Sequence, residues 1–294
     1  MNHLRATLCA AFAAFSLAST PVLSDDTGDM TEVSFGTDFT VQTTQTCGAL
    51  LRGQPCVITI DANSSNCRVR FVEIVGVTTV SFSRHGRRDT STKSHVWRGD
   101  SCRVSLPWAI SDSVRGGDVR VSLNYRLSNG QAGPDSKTLT VVGAALDPAT
   151  VRADIRNPTY EAAIHHMSRF QNFASDGWPL AGQGFGVGAL GAPDAEQMWN
   201  WKANLAGRIA GLDAAFARAA AHPATMRAAG FVDLPDFTPE QVKLQALQSL
   251  VGQDYFLPAQ AGGSWQAIST RLSFADDIVR TEAEAAAGNP PPGW

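Results

Sequence analysis

The apolar residues of this chain change their period once, near residues 143–148. Before that point they alternate. Val119, Val121, Leu123 and Tyr125 are interleaved with Arg120, Ser122, Asn124 and Arg126, and a period of two over this length specifies a strand with one buried face. After that point they recur every three to four residues. Tyr160, Ile164, Met167 and Phe170 form one such series; Trp201, Leu205, Ile209, Leu212 and Phe216 form another. That is the spacing of a helix with one apolar side. Two periods in succession predict an all-β unit over residues 25–145 and a mainly helical unit over residues 146–287. Residues 288–294, which include Pro290, Pro291 and Pro292, read as a disordered tail.

Residues 1–24 read as a secretory leader. His3 and Arg5 precede an apolar stretch over residues 6–18, and Ser24 before Asp25 offers a cleavage point. The stretch is shorter than the roughly 20 apolar residues a membrane span needs, so an uncleaved anchor is the lesser reading. A periplasmic or secreted protein is expected, not an integral membrane one. Cys9 leaves with the leader, and Cys47, Cys56, Cys67 and Cys102 remain in the β unit. An even count in an exported chain predicts two disulfides; three pairings are open, with Cys47–Cys56 and Cys67–Cys102 favoured because each ties neighbouring strands. A zinc site is the rival, but neither a Cys-x-x-Cys pair nor a suitably spaced histidine accompanies them. The formal charge of −3 gives no reason to expect nucleic acid.

Within the β unit, strands are expected over residues 39–44, 56–61, 68–80, 119–127 and 138–142, with Asn129-Gly130 and Gly133-Pro134 marking a hairpin loop. Short strands separated by turn clusters suggest a two-sheet sandwich of immunoglobulin-like type. The run Ser83-Arg84-His85-Gly86-Arg87-Arg88-Asp89 reads as a solvated hairpin tip; the alternative is a guanidinium cluster gripping an anionic polymer. Trp97 and Trp108 are expected in the core.

The helical unit announces its starts. Asp147-Pro148 and Asn157-Pro158 each pair a capping side chain with a proline at the first helical position. Asp194 with Gln197, and Thr238 with Gln241, spell capping boxes. The helix carrying Trp201 is expected to stop at His222-Pro223, with Trp199 off its buried stripe. A last helix is expected over residues 273–287.

Three pieces of this half occur in a fixed order: His166-Met167-Ser168, then Gly184-Phe185-Gly186-Val187-Gly188-Ala189-Leu190, then Trp199-Asn200-Trp201. Together they resemble the lysozyme-like domain of lytic transglycosylases, in the branch that carries Trp-Asn-Trp after the glycine turn. The resemblance covers roughly residues 158–280. A looser match is Gln260-Ala261-Gly262-Gly263 followed by Trp265, where the family has an aromatic-Asn-Gly-Gly stretch along the sugar groove. The resemblance implies a groove for peptidoglycan glycan lined by Met167, Ser168, Phe185, Gly186, Ala189 and Trp265. It also implies a catalytic Glu where this chain has Met167, and often a Gln where it has Ala189.

Cleaving a glycosidic bond needs a proton delivered to the leaving oxygen, and a carboxylic acid in a partly apolar setting can hold it near neutral pH. Methionine matches glutamate in length but neither gives nor takes a proton. Two other carboxylates are candidates for a relocated acid. Glu161 lies some 120° around the helix from Met167, and Asp176 lies in the Ser175-Asp176-Gly177-Trp178 loop; Asp194 is assigned to capping. His165 and His166 point about 100° apart on a helix and do not make a metal pair. Neither metal nor cofactor is expected. The resulting expectation is a pseudoenzyme of the cell envelope that binds peptidoglycan glycan strands or an envelope protein. An active transglycosylase with a relocated acid is the first alternative. A protein-binding β module with the helices as scaffold is the second.

Overall fold

The computed structural model describes residues 30–35, 39–45, 53–64, 67–259, 263–268 and 273–294. The leader and Cys47 lie outside the described residues. The N-terminal part is antiparallel β. Strands β1 (Met30–Phe35), β2 (Phe39–Gln45), β3 (Val57–Ser64) and β6 (Arg103–Ala109) form one sheet in the order β1-β2-β3-β6. Strands β4 (Phe71–Arg84), β5 (Arg87–Ser101), β7 (Gly117–Leu127) and β8 (Ala132–Val141) form a second in the order β5-β4-β7-β8. The two sheets share one core. Ile58 opposite Trp108 and Ile60 opposite Leu106 face it from the first. Val80 opposite Val119 and the buried Leu123, Leu139 and Val141 face it from the second. Alternation along β3, β6 and β7 follows the inward and outward sides of the pleat.

The chain crosses between sheets three times, after β3, after β5 and after β6. A disulfide between Cys67 and Cys102, with Cα atoms 4.9 Å apart, joins the first two of these connections. Cys56 is also disulfide-bonded. Strand β5 carries little apolar signal because it is an edge strand. Its inward side is Trp97, His95 and Lys93 rather than an aliphatic row, and His95 stacks at 4.6 Å on the core residue Trp108. The β4–β5 turn has His85 at φ 51° and Gly86 at φ 73°, the left-handed pair that matches the twist of a tight hairpin.

The C-terminal part is mainly helical: α1 (Pro148–Ala153), α2 (Pro158–Ser168), α3 (Ala195–Trp199), α4 (Trp201–Ala228), α5 (Pro239–Ser249) and α6 (Phe274–Ala286), with a short hairpin of β9 (Phe256–Pro258) and β10 (Trp265–Ala267) between the last two. The starts follow the sequence rules. Asp147 caps α1, Asn157 caps α2, and both capping boxes form, at Asp194/Gln197 and Thr238/Gln241. One stop differs. Helix α4 continues through Pro223 to Ala228. Proline forfeits one helical hydrogen bond there, but Pro223 is buried, so tertiary contacts offset the local cost.

The core of the sheets does not end with them. Phe173, Trp178, Met198 and Trp199 belong to the same apolar cluster as Phe82 and Val141. The Phe82 ring stands 5.7 Å from that of Trp199 and 5.9 Å from that of Trp178. Gly116 makes room for Trp199, since a Cβ there would sit 2.3 Å from the indole. The expectation that Trp199 lies off a buried face is corrected. Helix α3 ends at Trp199 and α4 begins at Trp201, so the two indoles do not share one helical wheel. Asn200 ends α3, and its Oδ1 accepts from Lys202 N (3.1 Å) and Ala203 N (3.4 Å) to start α4. Trp199, fully buried, joins the sheet core, while Trp201, 1% exposed, joins the helical core with Ile164, Phe170 and Leu205.

The segment after α6, expected as a disordered tail, is docked. Trp294 packs between Phe170 (5.9 Å) and His165 (5.3 Å), with the Arg152 guanidinium 5.1 Å from its ring, and Pro292 O lies 3.1 Å from His165 Nε2. Apolar contact for one large indole outweighs the local disorder tendency of a proline run.

His165 is 6% exposed, and its Nδ1 has no hydrogen-bond partner. Burial holds the imidazole below its ordinary 6.5, and the nearby Arg169, His166 and Arg152 push the same way against the bond to Pro292. A group whose folded value is depressed takes its proton first in the unfolded chain. Its contribution is therefore complete above about pH 6.5 and drains away as the pH falls. Burial shifts His95 in the same direction. Urea unfolding at pH 7.5 and at pH 5.5 is expected to give a lower midpoint at the acid value. The drop should shrink in His165→Phe; an equal drop in that variant would assign the effect to other groups.

Candidate functional site

The site expected from the sequence centres on the end of α2, the glycine turn and the start of α4. Helix α2 stops because Arg169 (φ 50°) and Phe170 (φ 59°) are both left-handed, and Phe170 is anchored with no exposure in the helical core. The turn beyond is held from inside by two buried asparagines. Asn172 Nδ2 donates to Met198 O (3.2 Å), and its Oδ1 accepts from Val187 N (3.1 Å). Asn204 Nδ2 donates to Phe185 O (3.0 Å) and Gln197 O (2.8 Å), and its Oδ1 accepts from Gly188 N (2.6 Å). Gly186, at φ +70°, lies between them, where a Cβ would come within 2.5 Å of both amides. The Arg208 guanidinium donates to the carbonyls of Gly188 and Ala189, and burial lowers its pKa from the ordinary value.

The residues expected to line a groove separate in this arrangement. Ser168, Gly186 and Ala189 are buried; Met167, Phe185 and Trp265 are half-buried. Ser168 Oγ lies 2.6 Å from Val187 O and 3.1 Å from Ile164 O, tying the helix end to the glycine turn. Ala189 has φ 47° and offers its carbonyl to Arg208. The three half-buried residues go to three places. Met167 packs against the buried cluster of Ala162, Ala163, Leu212, Leu247, Ala275 and Ile278. Phe185 packs on the sheet core beside His85 and Arg87. Trp265 packs on Phe237 (4.6 Å) and His222 (5.5 Å) and donates from Nε1 to Pro235 O (2.9 Å). Gln260, Ala261 and Gly262 lie outside the described residues.

The two carboxylates weighed as relocated acids are both engaged. Glu161 is ion-paired with Arg152. Asp176 Oδ2 accepts from Arg84 Nη1 at 3.3 Å, and its Oδ1 accepts from Trp178 N at 3.2 Å. Asp194 caps α3.

Arg84 and Arg87 are not free to grip an anionic polymer. Arg84 lies 3.8 Å over the Trp178 ring, and Arg87 donates to Gly191 O at 2.9 Å. Asp89 of the same loop pairs with Arg115. The hairpin tip is therefore a clamp that holds the 176–191 segment against the sheets. Sequence reasoning missed the inner frame of Asn204 and Arg208. A signal was present, because both fall on the Trp201–Leu205 side at spacings of three and seven from Trp201. A polar residue on a buried stripe implies partners waiting for it.

Among the described residues no group of three or more His, Cys, Asp or Glu is placed to hold a metal ion. No described helix is long and apolar enough to cross a membrane. No family model matches the chain, and no curated protein matches it. Among solved structures, a DUF4466 family protein from Parabacteroides merdae aligns over 32% of this chain and 42% of that one. The identity is 15% and the TM-score 0.20, a likeness too slight to carry an argument about fold or function.

Proposed function

We propose that this is an exported cell-envelope protein whose helical part is a lysozyme-like relative of lytic transglycosylases that binds peptidoglycan glycan without cleaving it, joined to an immunoglobulin-like β part. The observation that carries the reading is the state of the carboxylates. Met167 stands where the family's acid is expected, and Glu161 and Asp176 are both committed to arginines. Methionine fills a glutamate-sized space in an apolar cluster without the cost of burying a charge. Beside that position a frame of hydrogen bonds runs from the Ser168 tie to the asparagine pair under the glycine turn. A binding role uses that frame and has no use for the proton.

The test is co-sedimentation of the full chain with purified, protein-free peptidoglycan. Saturable pelleting, competed by soluble glycan oligomers, is expected. A chain that stays in the supernatant at all concentrations sinks the glycan reading. The second reading, protein binding through the β part, draws on the long edge strand β5, where Val96 is 58% exposed. Truncation after Pro148 is not a fair test of it, because that cut removes Phe173, Trp178 and Trp199 from the sheet core.

A further inference from the structure

A cavity of about 310 Å³ lies beside the β9–β10 hairpin, lined by none of the residues discussed above as groove candidates. The hairpin has two unlike sides. Phe256, Pro258 and Trp265 share one, where Phe256 and Trp265 pack on Phe237. Tyr255, Leu257 and Ile268 share the other, with Ile268 N donating to Tyr255 O at 2.8 Å. That second side lines the cavity, and its aliphatic members stay in the open: Leu257 is 47% exposed and Ile268 37%.

The polar lining is mostly spoken for. Tyr255 donates its hydroxyl to Asp276 (2.8 Å), and Ser273 donates to the other oxygen of the same carboxylate (2.6 Å). Gln248 donates to Gln253 (2.9 Å) and accepts from Ala275 N (3.1 Å). Among the described lining residues Asp254 carries the charge, and it is exposed; its Oδ1 accepts from Gln245 Nε2 at 2.6 Å. None of the described lining residues is a lysine, arginine or histidine.

We infer that this cavity binds a lysine side chain presented by a partner polypeptide. The cavity is at the small end of the range for ligand sites, about 300–1,000 Å³. Its chemistry is apolar at Leu257 and Ile268, aromatic at Tyr255 and anionic at Asp254. A lysine has the matching order of parts, an aliphatic stem with a cation at its end. Anionic ligands, including acidic lipid surfaces, meet Asp254 with Asp276 behind it. A guanidinium gains most from a carboxylate that offers both oxygens, and Gln245 already holds one of them. This inference stands independently of the glycan reading.

The test is a methyl NMR titration of the full chain with N-acetyl-lysine methylamide, alongside the norleucine analogue, which keeps the stem and lacks the cation. Saturable shifts at Leu257 and Ile268 are expected with the lysine probe. Binding should be at least tenfold weaker for norleucine and for lysine against Asp254→Asn, a variant that can still accept from Gln245. Absence of shifts, equal response to norleucine, or indifference to Asp254→Asn each overturns the inference. Shifts of the same methyls by N-acetylglucosamine oligomers but not by lysine also overturn it, and would leave the glycan reading standing. Loss of peptidoglycan co-sedimentation with the lysine response intact would do the reverse.

Discussion

Trp199→Ala is expected to destabilise the protein by roughly 3–5 kcal/mol, the range for deleting a large buried aromatic. It is also expected to loosen the sheets although it lies in a helix. The indole is fully buried and touches the rings of Phe82 on β4, Phe173 and Trp178. Gly116, before β7, is shaped to receive it. Removing it opens a cavity bounded by strands on one side and by the 173–178 loop on the other. Amide exchange at Phe82 and along β7 should therefore accelerate with that of α3. Trp199→Phe separates two contributions. The Trp199 indole nitrogen is buried without a partner, so phenylalanine loses volume but also relieves an unsatisfied donor, and should cost only about 1 kcal/mol. Unchanged protection in β4 and β7 in the alanine variant would mean that the two halves do not share a cooperative core.

Asn204→Ala is the second large effect, with a different cause. The side chain is fully buried and makes three hydrogen bonds to main-chain groups, at Phe185, Gln197 and Gly188. Alanine takes this partner from the Gln197 carbonyl and the Gly188 N–H, while the Phe185 carbonyl keeps its bond from Leu190 N at 3.0 Å. Each group left unpaired costs on the order of 1–3 kcal/mol, so a loss of at least roughly 2 kcal/mol is expected. The Gly188 amide, bonded at 2.6 Å in the native protein, should lose its exchange protection first. Asn204→Asp keeps the acceptor toward Gly188 but loses both donors and buries a charge, and should be no better than alanine. If the glycine turn keeps its protection in either variant, it is held by its own backbone and Arg208 rather than by Asn204.

The features legible in the sequence are those with local causes. Helix starts at Asp147, Asn157, Asp194 and Thr238 depend on a side chain and an amide two or three residues away, and each forms as read. The alternation along residues 119–127 depends only on one buried face, and β7 has it. The division into antiparallel strands followed by helices, and the Cys67–Cys102 pair, belong to the same class. What was not legible depends on distant partners. Helix α4 passes Pro223 because that residue is buried. Strand β5 hides because an edge strand needs few apolar residues. Trp199 turns to the sheets because α3 and α4 are separate helices broken at Asn200, and a wheel drawn through both misplaces it. Asp176 looked available until Arg84, 92 residues earlier in the chain, was brought across it. The tail is held by one indole whose pocket is built from α1 and α2.

For the candidate site, the expected depth of individual residues is what the structure changes. Ser168 and Ala189 were read as surface because a groove was expected, and both serve the inside of the turn instead. Met167 keeps partial exposure, and under the proposed reading it is the position at which a glutamate is tested.

The measurement that bears most directly on the proposed role is release of soluble muropeptides from purified peptidoglycan, by the native protein and by Met167→Glu side by side across a pH series. No release by the native protein at any pH is expected, with measurable release of anhydro products once the glutamate supplies the proton. Anhydro-muropeptides from the native protein would contradict the account. They would mean that an acid is working despite the arginines on Glu161 and Asp176.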